Sequence, residues 1–454
     1  MTLWGKKLKA VLFGLCLWGG TPPLEAGLYN PQTFTLANGL KVVVIENHRA
    51  NVVGQFLWFK VGANDDPTGK SGLAHYLEHL RFKGPKGTAS AEITRLIEEV
   101  GGLQNASTSH DFTNYYQIVA TPHLELVMKL EAERMRDLQC LPEQAKTELN
   151  VILEERRMRI DNDPLGRYSE VANSLYYRAA PRRLPMIGWP HEIKALTLDD
   201  ARAFYRTWYA PGNAVLVLVG DITLDKAKEL AKKHYGAVPA RPLPTRNRLK
   251  EPFDVDGHIR FDMPAEDIQA PYFISSYRAP SYEEEKGRFL YAAQVFETML
   301  SSSPTGFLYQ ELVEKEKVAT FASANYDVMA IGPTELCFIL QPTPKTPLPQ
   351  LEAALEKTLT LFLEKGMTQQ NLDRAKARMI STLIFTKDSA LSGNNVGYSL
   401  IMGLSLDDVE NWEDNIKAVT LDQVKELAHL VLSSKMRFTG SLVAKAPMPK
   451  GASS

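Results

Sequence analysis

Two imidazoles and a carboxylate stand within five residues of one another in the stretch GLAHYLEHLRFKG, at His75, Glu78 and His79. On a helix, His75 and His79 lie one turn apart and project from one face. Neutral imidazoles so placed can reach a single ion, and a pair of histidines is a common zinc set. Glu78 projects about 60° to one side of His75 and about 100° from His79. It can therefore reach a ligand on the metal without binding the metal itself. These are the demands of metal-assisted hydrolysis: a Lewis acid, an open coordination position for water, and a carboxylate to take the water's proton.

A pattern H-x-x-E-H arises by chance on the order of once in a hundred chains of this size. The pair alone therefore fits a surface helix with a stray Glu, and a third ligand is what decides. A catalytic zinc with two histidines usually adds an acidic one. The stretch ELNVILEE offers candidates in Glu148 and Glu155. Seven residues apart, they differ by about 20° around a helix and share a face, while Glu154 sits about 100° from Glu155. Turned toward the first helix, they supply one ligand and one supporting carboxylate. The ordinary alternative is a solvated charged helix, which the following EERRMR suggests.

The elements that must position these groups are legible around them. Residues 33–65 are rich in β-branched side chains, with turn signals at Asn38-Gly39 and around Asn47 to Asn51, and read as strands. Residues 71–84 and 90–100 read as helices, 103–120 as two strands around a polar turn, and 123–138 and 143–164 as helices. The run NAVLVLVGD (213–221) reads as a buried strand, with a helix after it. The Pro- and Arg-rich stretch after residue 237 reads as an interdomain linker, placed at 241–256. Beyond it, 268–302 repeats the order strand, acidic loop, helix, and RFTGSLVA (437–444) closes with a strand. An internal duplication of roughly 200 residues per half follows, giving domains at 27–240 and 257–454. The second copy of the helix reads YAAQVFETML and has no histidine, so only the first half carries the site.

The 454 residues suffice for two or three cores, and 44% hydrophobic with 23% charged residues is a globular composition. A formal net charge of −1 gives no basic excess for nucleic acid or an anionic membrane surface. Lys6, Lys7 and Lys9, an apolar run from Ala10 to about Gly20, and Ala26 read as a secretory signal peptide over 1–26. The expectation is a periplasmic protein with no stable membrane insertion after signal cleavage. Cys140 and Cys337 are about 200 residues apart and offer no disulfide framework; the sequence permits a disulfide between them without requiring one, and buried free thiols are the plainer expectation. His48, His110, His123, His191, His234, His258 and His429 lack partners at ligand spacing. The Lys/Glu alternation at 311–317 reads as a solvated helix face.

The segments GKSGLAHYLEHLRFKG, GGLQNASTSHDFTNYY, LEAERMRDL, ERRMRIDNDP and YAPGNAVLVLVGD together resemble the pitrilysin/insulinase family of zinc metallopeptidases, the inverzincins, whose motif is H-x-x-E-H with a distal E-x6-E. The resemblance covers nearly the whole chain after residue 26 and is strongest to the short bacterial members and to the catalytic subunit of mitochondrial processing peptidase. It implies that His75, His79 and Glu155 bind Zn2+, that Glu78 is the general base, and that Glu148 is the supporting acid. It implies that Asn105 and Ala106 belong to an edge strand onto which an extended peptide adds, so that main-chain hydrogen bonds hold many sequences. The implied fold is α+β: two homologous halves, each a mixed β-sheet covered by helices, forming a clamshell. The implied activity is endopeptidase cleavage of extended or unfolded peptides.

One departure stands out. Many active family members present an Arg and then a Tyr from the second half, where GFLYQELVEKEKVATFASA places Val313 and Thr320. The missing groups point to a dimer, and to a heterodimer with a paralogue lacking the zinc site, since two copies of this chain would both lack them. A non-catalytic or partner-dependent subunit, or a zinc hydrolase of non-peptide substrates, are the other classes open to this sequence.

Overall fold

The computed structural model describes residues 27–252, 257–301 and 304–445. The signal segment 1–26 and the last four residues of the expected linker lie outside them. Among the described residues, eleven strands form two sheets. The first half supplies β1 (Gln32–Thr35), β2 (Lys41–Glu46), β3 (Val52–Phe59), β4 (Leu103–Thr108), β5 (Thr113–Ala120) and β6 (Ala214–Gly220). The second supplies β7 (Gly257–Ala265), β8 (Tyr272–Ala279), β9 (Ala319–Tyr326), β10 (Thr334–Pro342) and β11 (Met436–Ala444). The strand orders are β1-β2-β6-β3-β5-β4 and β7-β11-β8-β10-β9. Setting β1 aside, the two orders are the same: the last strand of each half inserts beside its first and runs parallel to it, β6 along β2 and β11 along β7. The remaining neighbours are antiparallel, so both sheets are mixed. The duplication expected from the sequence is thus present as a shared topology.

The first half's helices include α1 (Leu73–Leu80), α2 (Ala89–Glu99), α3 (Leu124–Arg136), α4 (Pro142–Arg156) and α5 (Pro164–Tyr176). α4 continues into a wide π-helical turn, Arg157–Asp161, before Asp163 caps α5. Every residue of β6 is buried, because the first sheet is covered on both faces. Val42, Val44, Leu57, Phe59, Leu216 and Leu218 face the first half's own helices. Val43, Ile45, Phe56, Trp58 and Val217 face the other way and join the second half's core. Across them lies the second-half helix Ser392–Ile401, whose Gly393 and Gly397 sit directly on the Phe56 and Trp58 rings. The first half reciprocates: Tyr168 and Tyr176 of α5 pack with Ile274, Phe438 and Leu442 of the second sheet. Each half therefore roofs the other's sheet.

The linker is anchored rather than loose. Arg241 stacks on Tyr205 and Arg246 on Trp208, with centroid distances of 5.1 and 4.5 Å. Arg248 pairs with Asp65 at 2.9 Å and Asp111 at 2.8 Å. Glu251 accepts the backbone N–H groups of Arg178, Ala179 and Ala180. Proline count signalled a spacer, but the arginines between the prolines fasten it to the first half. The 311–317 face is also not wholly solvated: Glu311 is buried and pairs with Lys315. Cys140 and Cys337 are both free thiols, Cys140 fully buried.

Candidate active site

Packing fixes α1 before any metal enters the argument. Asp66 caps its start, accepting the Gly72 and Ala74 amides at 2.8 Å each. Gly72 has φ +86°, and any side chain there would run into the Ile187 carbonyl. At the other end Arg81, fully buried, donates to Glu131 of α3 at 2.5 Å and lies 3.9 Å from the Tyr115 ring centroid. Arg134 binds the second Glu131 oxygen at 2.7 Å and the Arg81 carbonyl at 2.9 Å. Burial pushes the Glu131 carboxyl up, but the two guanidiniums outweigh it and hold it below the ordinary range. α1 is thus clamped to α3 and β5, and its remaining face carries the chemistry.

On that face His75 and His79 stack edge to face, 4.7 Å between centroids. Glu155 reaches across from α4, its Oε2 lying 3.5 Å from Nε2 of His75 and 3.2 Å from Nε2 of His79. One donor atom from each of the three lies within 4.8 Å of the other two. Bonds of about 2.05 Å in a tetrahedral zinc site place neighbouring donors roughly 3.3 Å apart. The separations of Glu155 Oε2 from the two imidazoles match this, and the N, N, O chemistry of the three side chains fits zinc. Glu155 Oε1 faces away and pairs with Arg159 at 3.0 Å.

Glu148 stands behind this set: its Oε1 accepts from Nδ1 of His79 at 2.9 Å, and Oε2 pairs with Lys83 at 2.8 Å. The bond at Nδ1 leaves Nε2 as the donor toward a metal and fixes the ring. Burial works against charge on His79, yet the hydrogen bonds with Glu148 and Glu155 prevail and hold its pKa up at about 9. His75 goes the other way, lowered to about 4 by burial and then by the neighbouring His79. His75 is thus ready as a neutral donor, while His79 must release a proton before Nε2 can bind a metal.

Glu78 bonds to none of the other four, His75, His79, Glu148 and Glu155. Burial raises its carboxyl pKa, and Thr108 of β4 opposes this by donating to Oε2 at 2.5 Å. β4 is one of the two edges of the first sheet, with Gln104, Ala106 and Thr108 turned inward and Leu103, Asn105 and Ser107 exposed. Asn105 Oδ1 accepts the Ala106 amide at 2.9 Å, covering one donor of the free edge. The sequence reading missed Thr108, Asp66 and the Arg81–Glu131–Arg134 group. Thr108 was readable by alternation from Ala106, whereas the buried ion group carries no local pattern.

In the second half the helix in the place of α1, Leu290–Ser301, offers Gln294, Glu297 and Thr298 and no metal-ligating set; the His75–His79–Glu155 group stands alone among the described residues. Burial raises the Glu297 carboxyl to about 7, against a hydrogen bond from the Tyr326 backbone. Val313 packs against the second-half core, and Thr320 lies exposed in β9, so neither supplies a cation or a phenol.

Comparison with known proteins agrees with this layout. The model of the insulinase family (peptidase family M16) matches residues 41–184, and that of the peptidase M16 inactive domain matches 195–379. The zinc protease PqqE of Helicobacter pylori is 30% identical over 381 residues, which are 82% of this chain and 83% of that protein. The chain belongs to the insulinase family. An uncharacterized zinc protease of Mycobacterium leprae is 25% identical, over 92% and 93% of the two chains. Among solved structures, a protease from Helicobacter pylori superposes with a TM-score of 0.84 at 26% identity, covering 91% of this chain and 99% of that one. The periplasmic protease PqqL from Escherichia coli shares the fold at TM-score 0.75 and 19% identity, over 92% of this chain and 49% of that one. The α+β architecture of two homologous halves, set against each other as in a clamshell, is that of the family. No helix among the described residues is long and apolar enough to cross a membrane.

Proposed function

We propose that this chain is a zinc-dependent endopeptidase that cleaves extended or unfolded peptides, with its first half (27–240) carrying the site, residues 241–256 joining the halves, and its second half (257–454) in support. The observation that carries the reading is the convergence of His75, His79 and Glu155, one donor atom from each within 4.8 Å of the other two, with a separate carboxylate, Glu78, beside them. His75, His79 and Glu155 would hold the zinc, which when bound polarises a carbonyl and acidifies water. Glu78 serves as general base: it lies next to the ligands, takes the proton of the attacking water and returns it to the leaving amine. Its raised pKa suits both duties. Glu148 orients His79 through Nδ1. β4 receives the substrate as an added strand, with Asn105 releasing the Ala106 amide to it and main-chain pairing making binding tolerant of sequence.

Secretion through the 1–26 segment fits the reading, and the periplasmic PqqL shows the fold in that compartment. Val313 and Thr320 favour a second chain as a working partner. A heterodimer with a paralogue that lacks zinc ligands but carries a cation and a phenol is the form we infer.

The test is metal content together with cleavage of an unstructured fluorogenic peptide, wild type beside Glu78→Gln. About one zinc per chain, with cleavage by wild type alone, supports the reading. Cleavage by both proteins removes Glu78 as the base. Zinc without cleavage by either moves the function to the partner-dependent form, which co-purification of a second chain then checks.

A further inference from the structure

The tip of the β4–β5 hairpin joins the two halves at the point where it also reaches the base. Thr108, the last residue of β4, is 7% exposed and donates to Glu78. Three residues on, Asp111 is 2% exposed, and its carboxylate is shared among three parts of the chain. Oδ1 accepts from Asn64 of the first half at 2.9 Å and from Arg248 of the linker at 2.8 Å. Oδ2 accepts the Ile331 amide of the second half at 3.2 Å. Arg182 lies 3.9 Å from the same oxygen and binds Asp327 of the second half at 2.9 Å. Between Thr108 and Asp111 the backbone is held as well: Ser109 and His110 carbonyls accept the Ala63 and Asn64 amides at 2.9 and 2.8 Å. β4 has a strand neighbour on one side only, so the tip is where its placement is set.

We propose that Asp111 is a positioning residue through which the second half and the linker fix Thr108, and through it the orientation of Glu78. Asp111 touches neither substrate nor metal. It acts because a buried carboxylate with a linker guanidinium, a side-chain amide and a second-half amide as donors has one position that satisfies all three. Loss of any one lets the hairpin tip shift and releases Thr108 from Glu78. The second half, without metal ligands of its own, thereby acts on the chemistry of the first. This inference rests on Glu78 being the base of a metallopeptidase.

The experiment is a double-mutant cycle on the full-length chain after residue 26, with the partner subunit present if activity needs it. Zinc content, kcat and KM are measured for wild type, Thr108→Val, Asp111→Asn and the double variant, with Thr108→Ser as the conservative replacement. Thr108→Val should lower kcat roughly tenfold by removing a hydrogen bond to a charged group. Zinc stays bound and Thr108→Ser recovers the rate. Asp111→Asn should lower kcat comparably, and the double variant should fall no further than the more affected single one. A double variant whose loss is the product of the two single losses overturns the coupling, as does full kcat in Asp111→Asn. Because Asp111→Asn removes the buried charge that Arg248 and Arg182 use alongside those of Asp65 and Asp327, and can cost the fold, Arg248→Gln, on the linker, is the second variant. Hydrogen exchange of the 108–112 amides should be faster in Arg248→Gln than in wild type; equal exchange overturns the proposal. That readout needs no activity, so a wild type that binds zinc and cleaves nothing would move the function to the partner-dependent form while leaving the coupling to be judged by exchange.

Discussion

Replacing Glu148 by Gln should weaken zinc binding about tenfold while leaving the fold intact. The carboxylate is 6% exposed and makes two contacts, His79 Nδ1 at 2.9 Å and Lys83 Nζ at 2.8 Å. Lys83 is 36% exposed and can turn to water, so its loss contributes little. Gln keeps a carbonyl oxygen for His79, which turns a charge-assisted hydrogen bond into a neutral one. That difference is about 1.5 kcal/mol, or roughly a factor of ten in affinity. Glu148→Ala, which removes the acceptor, should move toward a hundredfold loss, on the order of 3 kcal/mol. One effect runs the other way: without the Glu148 charge the His79 pKa drops from about 9, and the proton leaves more readily. Measuring above that pKa, where His79 is neutral in both proteins, isolates the orienting effect. The assay is competition for zinc against a chromophoric chelator, with thermal unfolding as the control for fold. An affinity within about twofold of wild type would refute the role of Glu148 in holding His79. A complete loss of zinc would make Glu148 a ligand and the three-donor set wrong.

Glu78→Gln should keep zinc and lose roughly 10²–10⁴-fold in peptide hydrolysis, since it removes the proton acceptor and spares the ligands; Glu155→Gln should instead lose the zinc itself, read by metal analysis. Glu131→Gln should destabilise the chain by about 3–5 kcal/mol in denaturant unfolding, because Arg81 and Arg134 are left buried beside a neutral amide. The pH dependence of stability should carry a mark of Glu297. Burial holds its carboxyl at about 7 in the fold, against 4.5 for an ordinary glutamate, so the folded chain binds the extra proton between those values. Stability from this group is complete below pH 4.5 and lost as pH rises to 7, by up to about 3 kcal/mol. Glu297→Gln, uncharged throughout, should therefore melt higher than wild type at pH 8 and level with it near pH 4.5; equal melting at both values would contradict the burial argument.

The sequence showed what local spacing determines. HYLEH and the seven-residue interval of Glu148 and Glu155 picked out His75, Glu78, His79, Glu148 and Glu155, which lie together in the structure, and β-branched runs placed strands in 33–65 and 103–120 and located β6 within a residue at each end. The repeat of strand, acidic loop and helix disclosed the duplication, which the two strand orders reproduce. What escaped were relations between distant segments. Thr108 meets Glu78 across 30 residues, and Arg81 meets Glu131 across 50. The anchoring of the linker was hidden because prolines report only local stiffness, while the partners of Arg246 and Arg248 lie some 180 residues earlier. The mutual roofing of the sheets was likewise hidden, since a β6 buried on both faces reads alike whether a near or a distant helix covers it.

That mutual roofing bears on how the chain comes into being. The first sheet is complete once Gly220 has been made, but the helix that shields Phe56 and Trp58 begins at Ser392, about 170 residues later. At ~5–20 residues per second a ribosome needs on the order of ten seconds or more to supply it. Through that interval an apolar sheet face stands bare, and a nascent first half invites the attention of holding chaperones or of neighbouring chains. Expression of residues 27–240 alone should accordingly yield aggregates, and supplying 257–454 in trans should return them to solution.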